Sequence, residues 1–177
     1  MERVPFERGE SAVAVPVPAA EPLVSAWRAR FDSSAPYGIP AHVTVIYPFL
    51  PSSQLDASVL DGLASECATT VPFEVTFNRV GRFTTVVYLA PEPTAGFRDL
   101  TARFVTRWPD APPYGGKHKD VVPHLTVADE GTHAMLDAVE RDLQPKLPLT
   151  TTVDAAELYV FDGRRWQVRK RLPFRGV

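Results

Sequence analysis

His42-Val43-Thr44-Val45 and His124-Leu125-Thr126-Val127 carry one pattern, His-apolar-Thr-apolar, and each follows closely on a proline, Pro40 or Pro123. In an extended strand successive side chains point to opposite faces, so each histidine shares a face with its threonine. Val43, Val45, Leu125 and Val127 then point the other way, into a core. Two such strands brought together gather two imidazoles and two hydroxyls around one small volume. Such a group offers one reacting atom an acid, a base and two hydroxyl donors.

The chain around the two motifs repeats itself. Ala12 to Val17 reads as a strand, and Pro22 to Phe31 as a helix with Leu23, Trp27 and Phe31 on one stripe. His42 to Tyr47 is the first motif strand. Ser53-Gln54-Leu55-Asp56 resembles a capping box and opens a helix striped by Leu55, Val59, Leu63 and Cys67. Phe73 to Val80 and Thr84 to Ala90 read as paired strands turning at Gly81. Phe97, Leu100, Phe104 and Trp108 then mark a helix, and a Pro/Gly-rich loop from Pro109 to Asp120 leads to the second motif strand, His124 to Ala128. A helix follows from Thr132 to about Leu143, with Met135, Val139 and Leu143 inward. Val153 to Phe161 and Trp166 to Leu172 form a hairpin across Asp162-Gly163, a strong turn signal. Helix, His-strand, helix and strand pair thus occur twice in the same order. The expectation is one bilobal α+β domain over residues 1–177. It has two pseudo-twofold-related antiparallel sheets, helices outside, and a central cleft between the motif strands.

Bulk composition agrees with a single globular domain: 177 residues, 45% hydrophobic and 23% charged. No apolar run is long enough to cross a bilayer, so no membrane association is expected. Ser11 to Ala20 is interrupted by Pro16 and Pro18 and reads as a strand rather than a signal peptide. The lone Cys67 excludes an intrachain disulfide, reads as a buried thiol, and fits a reducing cytoplasm. A net charge of −2 argues against a general nucleic-acid coat but leaves room for an RNA end or a small phosphorylated substrate. The run Arg164, Arg165, Arg169, Lys170, Arg171 and Arg175 reads either as a solvated hairpin face or as an electropositive rim.

In-line displacement at phosphorus requires a base on the attacking oxygen and an acid on the departing one. Histidine, titrating near roughly 6.5, suits both. Threonine hydroxyls can donate to the non-bridging oxygens as charge develops. A histidine opening a strand is commonplace, and threonine and valine are favoured in strands for packing reasons. The weight lies in repetition, since two of only four histidines carry the pattern at equivalent places. There is no His-Glu-x-x-His, paired Cys-x-x-Cys, Gly-rich triphosphate loop or dinucleotide fingerprint, so no metal or cofactor is expected.

The pair of motifs resembles the signature of the 2H phosphoesterase superfamily, which includes the 2'-5' RNA ligase-like proteins and the cyclic phosphodiesterases. The resemblance spans nearly the whole chain. It implies a bilobal fold with a cleft, His42 and His124 as acid and base, and Thr44 and Thr126 holding phosphate. The implied reaction is hydrolysis of cyclic phosphates, or reversible 2'-5' joining of RNA ends, on an RNA end or small cyclic nucleotide, with no obligate protein partner. An alternative is a nucleotide- or RNA-binding module with an idle site. The chain departs from the RNA-ligase-like pattern in Ala128-Asp129-Glu130 after the second motif, where a basic residue is common. It departs again in Tyr47-Pro48-Phe49 after the first.

Four further residues are candidates for substrate contact. Arg82 and Phe83, at the turn of a strand pair, offer a guanidinium for phosphate and a ring for a base; the plain reading is a solvated turn and a core anchor. Tyr114 and Lys117, with His118 beside them, lie on the long loop before the second motif, where substrate-contacting segments are often found. Tyr47 either lines the cleft rim or packs beside Phe49, and His133 reads as a surface residue at a helix start.

Overall fold

A computed structural model describes residues 4–177. Eight strands and four helices follow in the order β1 (Ser11–Pro16), α1 (Glu21–Phe31), β2 (His42–Ile46), α2 (Ala57–Ala68), β3 (Phe73–Arg82), β4 (Val87–Glu92), α3 (Ala95–Arg107), β5 (Leu125–Ala128), α4 (His133–Leu143), β6 (Leu149–Val153), β7 (Ala155–Phe161) and β8 (Trp166–Pro173). They build two four-stranded antiparallel sheets, ordered β2-β1-β7-β8 and β5-β4-β3-β6. Both motif strands are edge strands, and they lie beside each other where the two sheets meet.

The two sheets are not the two halves of the sequence. The strand pair that follows the first motif, β3-β4, joins the second motif strand, whereas β7-β8 joins the first. The helices cross over too: α1 lies against β5, and α3 against β2. The β5-β4-β3-β6 sheet therefore forms from the middle of the chain, residues 73–153, while the other sheet joins β1 and β2 near one end to β7 and β8 near the other.

Strand alternation sets the two faces. Val13, Val15, Val43, Val45, Leu125 and Val127 are almost wholly buried in one core shared by both sheets and the helices. Burial of each such side chain is worth about 1.5–3 kcal/mol relative to exposure. The alternate residues Ala12, Ala14, His42, Thr44 and Thr126 turn instead toward the space between the sheets. A second, smaller apolar cluster flanks that space, with Tyr159, Phe161 and Trp166 packed against Phe6, Tyr37 and Tyr47.

Several boundaries differ from the sequence reading. The α2 N-cap is Asp56, whose carboxylate accepts the Val59 N–H at 2.9 Å; Ser53 belongs to a preceding 3-10 turn. The β3-β4 turn spans Phe83 to Val86 rather than centring on Gly81. Gly81 sits inside β3 opposite Tyr88, and its missing Cβ makes room for that ring. The segment Leu149–Val153, unrecognised in the sequence, is a Thr-rich edge strand paired with β3. Its continuation past Asp154 is β7 of the other sheet, so the stretch read as one strand from Val153 switches sheets there. The cap of α4 is Thr132, accepting the Met135 N–H, and Leu136, Val139 and Leu143 are its fully buried positions, with Met135 only partly so.

A methyl group at Gly81 would overlap the buried Tyr88 ring. Gly81→Ala should cost about 1–3 kcal/mol, the usual range for overpacking, read as a lower urea midpoint at unchanged slope. An unaltered midpoint would show that Tyr88 can swing aside.

Candidate active site

The cleft between the sheets, about 290 Å³, is lined by His42 and Thr44 from β2, His124 just before β5, and Thr126 from within it. Tyr47, Tyr114, Ser33, Asp129 and Trp166 complete much of its wall. The four motif residues that the sequence singles out are thus brought into one cavity.

The two histidines are held alike. His42 Nδ1 lies 2.7 Å from the Pro40 carbonyl, and His124 Nδ1 lies 2.7 Å from the Val122 carbonyl. A carbonyl oxygen only accepts, so Nδ1 carries the proton in both rings and Nε2 is left for chemistry. In each case the acceptor is two residues upstream, next to the proline (Pro40 itself, or Val122 before Pro123). Burial lowers both imidazoles from their ordinary value, against the opposing pull of these carbonyls. His42 is lowered to about 4; after burial, the Arg28 charge lowers it further, Asp32 raises it, and His124 itself lowers it. The two rings therefore sense each other, and protonating one disfavours protonating the other.

The Tyr114 phenol lies beside the Thr44 hydroxyl, and the Tyr114 N–H donates to the Tyr47 carbonyl at 2.6 Å. Its φ of 53° is a left-handed conformation rare for a tyrosine, which those contacts hold in place. Burial pushes its phenol upward. Tyr47 lines the cleft and donates to the Glu10 carboxylate at 2.9 Å. Asp129 accepts the Ser33 N–H at 2.7 Å and the Ser33 hydroxyl at 2.6 Å, tying the end of β5 to the end of α1.

Phe83 stands beside the site, edge-on to His124 with ring centroids 5.2 Å apart and stacked on Tyr88 at 4.5 Å. With Tyr114, His118, Val121 and Val122 it walls a second cavity of about 230 Å³ that shares His124 with the first. Arg82 is not brought to the cleft: its guanidinium donates to Asp137 at 2.8 Å and pairs with Glu140 at 3.3 Å, both on α4. Its neighbour Phe83 turns toward His124 because the intervening strand end alternates sides. Lys117 is exposed and outside both cavities, whereas the adjacent His118 lines the second. Ser33, Tyr88 and Trp166 carry no motif in the sequence; only their tertiary neighbours reveal them. Asp129 alone gave a signal, as an acidic residue where a basic one is common.

Other residues have plainer settings. Cys67 is buried on α2, where burial pushes its thiol up to about 12. His133 is exposed at the start of α4. The basic hairpin is largely solvent-facing, with Arg171 paired to Asp154 at 3.0 Å. Among the described residues no helix is long and apolar enough to cross a membrane. Among the same residues no three His, Cys, Asp or Glu side chains are grouped to hold a metal ion.

A family model described as the 2'-5' RNA ligase superfamily matches residues 15–165. Escherichia coli LigT complexed with 3'-AMP matches in structure with a TM-score of 0.61 at 20% identity, over 95% of this chain and 99% of that one. A protein of Thermus thermophilus matches with a TM-score of 0.62 at 18% identity, over 94% of this chain and 98% of that one. A further crystal structure described as a phosphoesterase gives 0.58 at 20%, over 94% and 98%. No curated protein matches in sequence.

Because the folded state holds His42 below its unfolded value of 6.5, the unfolded chain binds the extra proton first as pH falls. The resulting stability is whole above about 6.5 and drains away toward about 4. Urea midpoints at pH 7.5 and 5 should therefore differ, lower at pH 5, and His42→Ala should shrink that difference.

Proposed function

This chain belongs to the 2'-5' RNA ligase superfamily, and on that footing we propose that it is a metal-independent, two-histidine phosphodiesterase. Its substrates are 2',3'- or other cyclic phosphates, or 2'-5' linkages, of RNA ends or small nucleotides. The observation that carries this reading is the convergence of His42, Thr44, His124 and Thr126 on one cleft, each imidazole presenting Nε2.

For a cyclic phosphate, one neutral imidazole takes a proton from water as its oxygen bonds to phosphorus. The opposite ribose oxygen leaves along the same line and takes a proton from the other imidazole, which is charged. The product is a phosphomonoester, and exchange of protons with solvent resets the pair. Transesterification uses the same two steps with a ribose hydroxyl in place of water, so joining needs no nucleotide activation. Thr44 and Thr126 donate to the non-bridging oxygens. Burial favours the neutral form of both imidazoles and each opposes a charge on the other, so the doubly charged pair is disfavoured, and the anionic phosphate of a bound substrate is what favours a proton on the acid.

Phe83 and the apolar wall beside His124 suit a nucleobase, which stacks on an aromatic face for about 1–3 kcal/mol. A bound 3'-AMP in the E. coli relative supports a nucleotide-sized ligand.

The test is a product-resolved screen of cyclic phosphates and 2'-5' linked dinucleotides. His42→Ala and His124→Ala should each lower turnover at least about a hundredfold, the scale of general acid–base catalysis, and EDTA should leave it unchanged. Full activity in both single variants removes the histidines from the mechanism. Binding without turnover across the panel would mark an idle site. Phe83→Ala should raise KM with little change in kcat.

A further inference from the structure

Glu21 and Arg28, about two turns apart, occupy one face of α1, and Asp32 follows at its C-cap. Arg28 and Asp32 are each only 3% exposed. None of the three lines the cleft, yet together they grip the segment that delivers His42 to it. The Glu21 carboxylate accepts the Ala41 N–H at 2.7 Å. Arg28 donates through Nη2 to the Ile39 carbonyl at 3.1 Å and through Nε to Asp32 at 2.8 Å, and its Nη1 lies 3.8 Å from Glu21.

The Ala41 N–H and the Pro40 carbonyl are the two ends of one planar peptide unit. Glu21 holds one end, and the other is the oxygen on which His42 Nδ1–H rests at 2.7 Å. Carboxylate, peptide and imidazole thus form an unbroken hydrogen-bonded chain in which each link polarises the next. It performs what a carboxylate does when it holds a catalytic histidine directly: it fixes the tautomer and steadies the ring. The His124 side is built differently. Its acceptor belongs to Val122, which is 37% exposed at the end of the long loop.

We propose that Glu21, anchored by Arg28, is a positioning residue that acts on His42 through the Pro40–Ala41 peptide and thereby makes His42, rather than His124, the base in hydrolysis. The word base rests on the two-histidine function proposed above; the orientation of His42 does not. His124, beside the Phe83 wall, is then the acid, on the side where the nucleoside leaves.

The experiment uses Glu21→Ala, Glu21→Gln and Arg28→Lys in the full chain. Nitrogen-15 shifts of both imidazoles report the tautomer without any substrate. In the parent protein both rings should read as Nδ1–H. Glu21→Ala should bring His42 into mixed tautomers while His124 stays as it was. Glu21→Gln, which keeps an acceptor oxygen, should restore it. Arg28→Lys retains the charge but cannot span Ile39 and Asp32 together, and should loosen His42 in part. With an active substrate, Glu21→Ala should lower kcat about tenfold, a cost in keeping with a small misplacement of a reacting group, with KM within about twofold. A His42 ring still wholly Nδ1–H in folded Glu21→Ala overturns the proposal, whatever the substrate screen returns. An undiminished kcat in that variant overturns the assignment of His42 as base. A mixed His42 tautomer with no substrate turned over would uphold the positioning role while the enzymatic reading fails.

Discussion

Two edge strands from different sheets must bury their apolar faces in one core, and the remaining architecture answers to that requirement. Val43 and Val45 of β2 and Leu125 and Val127 of β5 are all essentially inaccessible to water. Their alternate neighbours can only face the gap between the sheets. Crossing helices close the arrangement, α1 on β5 and α3 on β2, so neither lobe can drift without exposing the other's apolar strand. Asp129 adds a polar tie at the same seam, through Ser33 at the end of α1. The cleft's geometry is therefore a by-product of core burial.

Within that frame the two halves are alike at the imidazoles and unlike around them. Each ring leans on a carbonyl two residues upstream beside a proline, which aligns Nδ1–H the same way in both. Around His42 the support is charged, from the buried Arg28 and Asp32 and the half-buried Glu21. Around His124 it is aromatic and partly open, from Phe83 and Tyr88. A pseudosymmetric fold thus offers chemically distinct sides to the two oxygens of an in-line displacement.

The long loop contributes one residue under conformational strain. Tyr114, at φ 53°, forgoes an ordinary backbone geometry at a cost on the order of 1–3 kcal/mol. Its backbone bond to Tyr47 and its hydroxyl's contact with Thr44 hold it there. The strain places a phenol at the junction of both cavities, within reach of whatever lies between the histidines.

Much of this was legible in local pattern. Period-two alternation with repeated His and Thr marked the motif strands and their shared face, and apolar stripes marked all four helices. The Asp162-Gly163 turn was legible as well, because Gly163 takes a φ of 99° that such a turn demands. Illegible were β6, whose Thr-rich edge has no apolar alternation, and the sheet switch at Asp154, which leaves no mark on local propensity. Arg82 looked available to phosphate because its acidic partners, Asp137 and Glu140, are far along the chain on α4. The clamp from Glu21 and Arg28 onto residues 39 to 41 was hidden for the same reason. By itself, then, the sequence determined which side chains share a face, since that follows from backbone geometry within a few residues. Only tertiary structure decided which half of the chain completes which sheet and which charges reach the cleft. Those outcomes depend on burial and pairing between residues that chain order does not bring together.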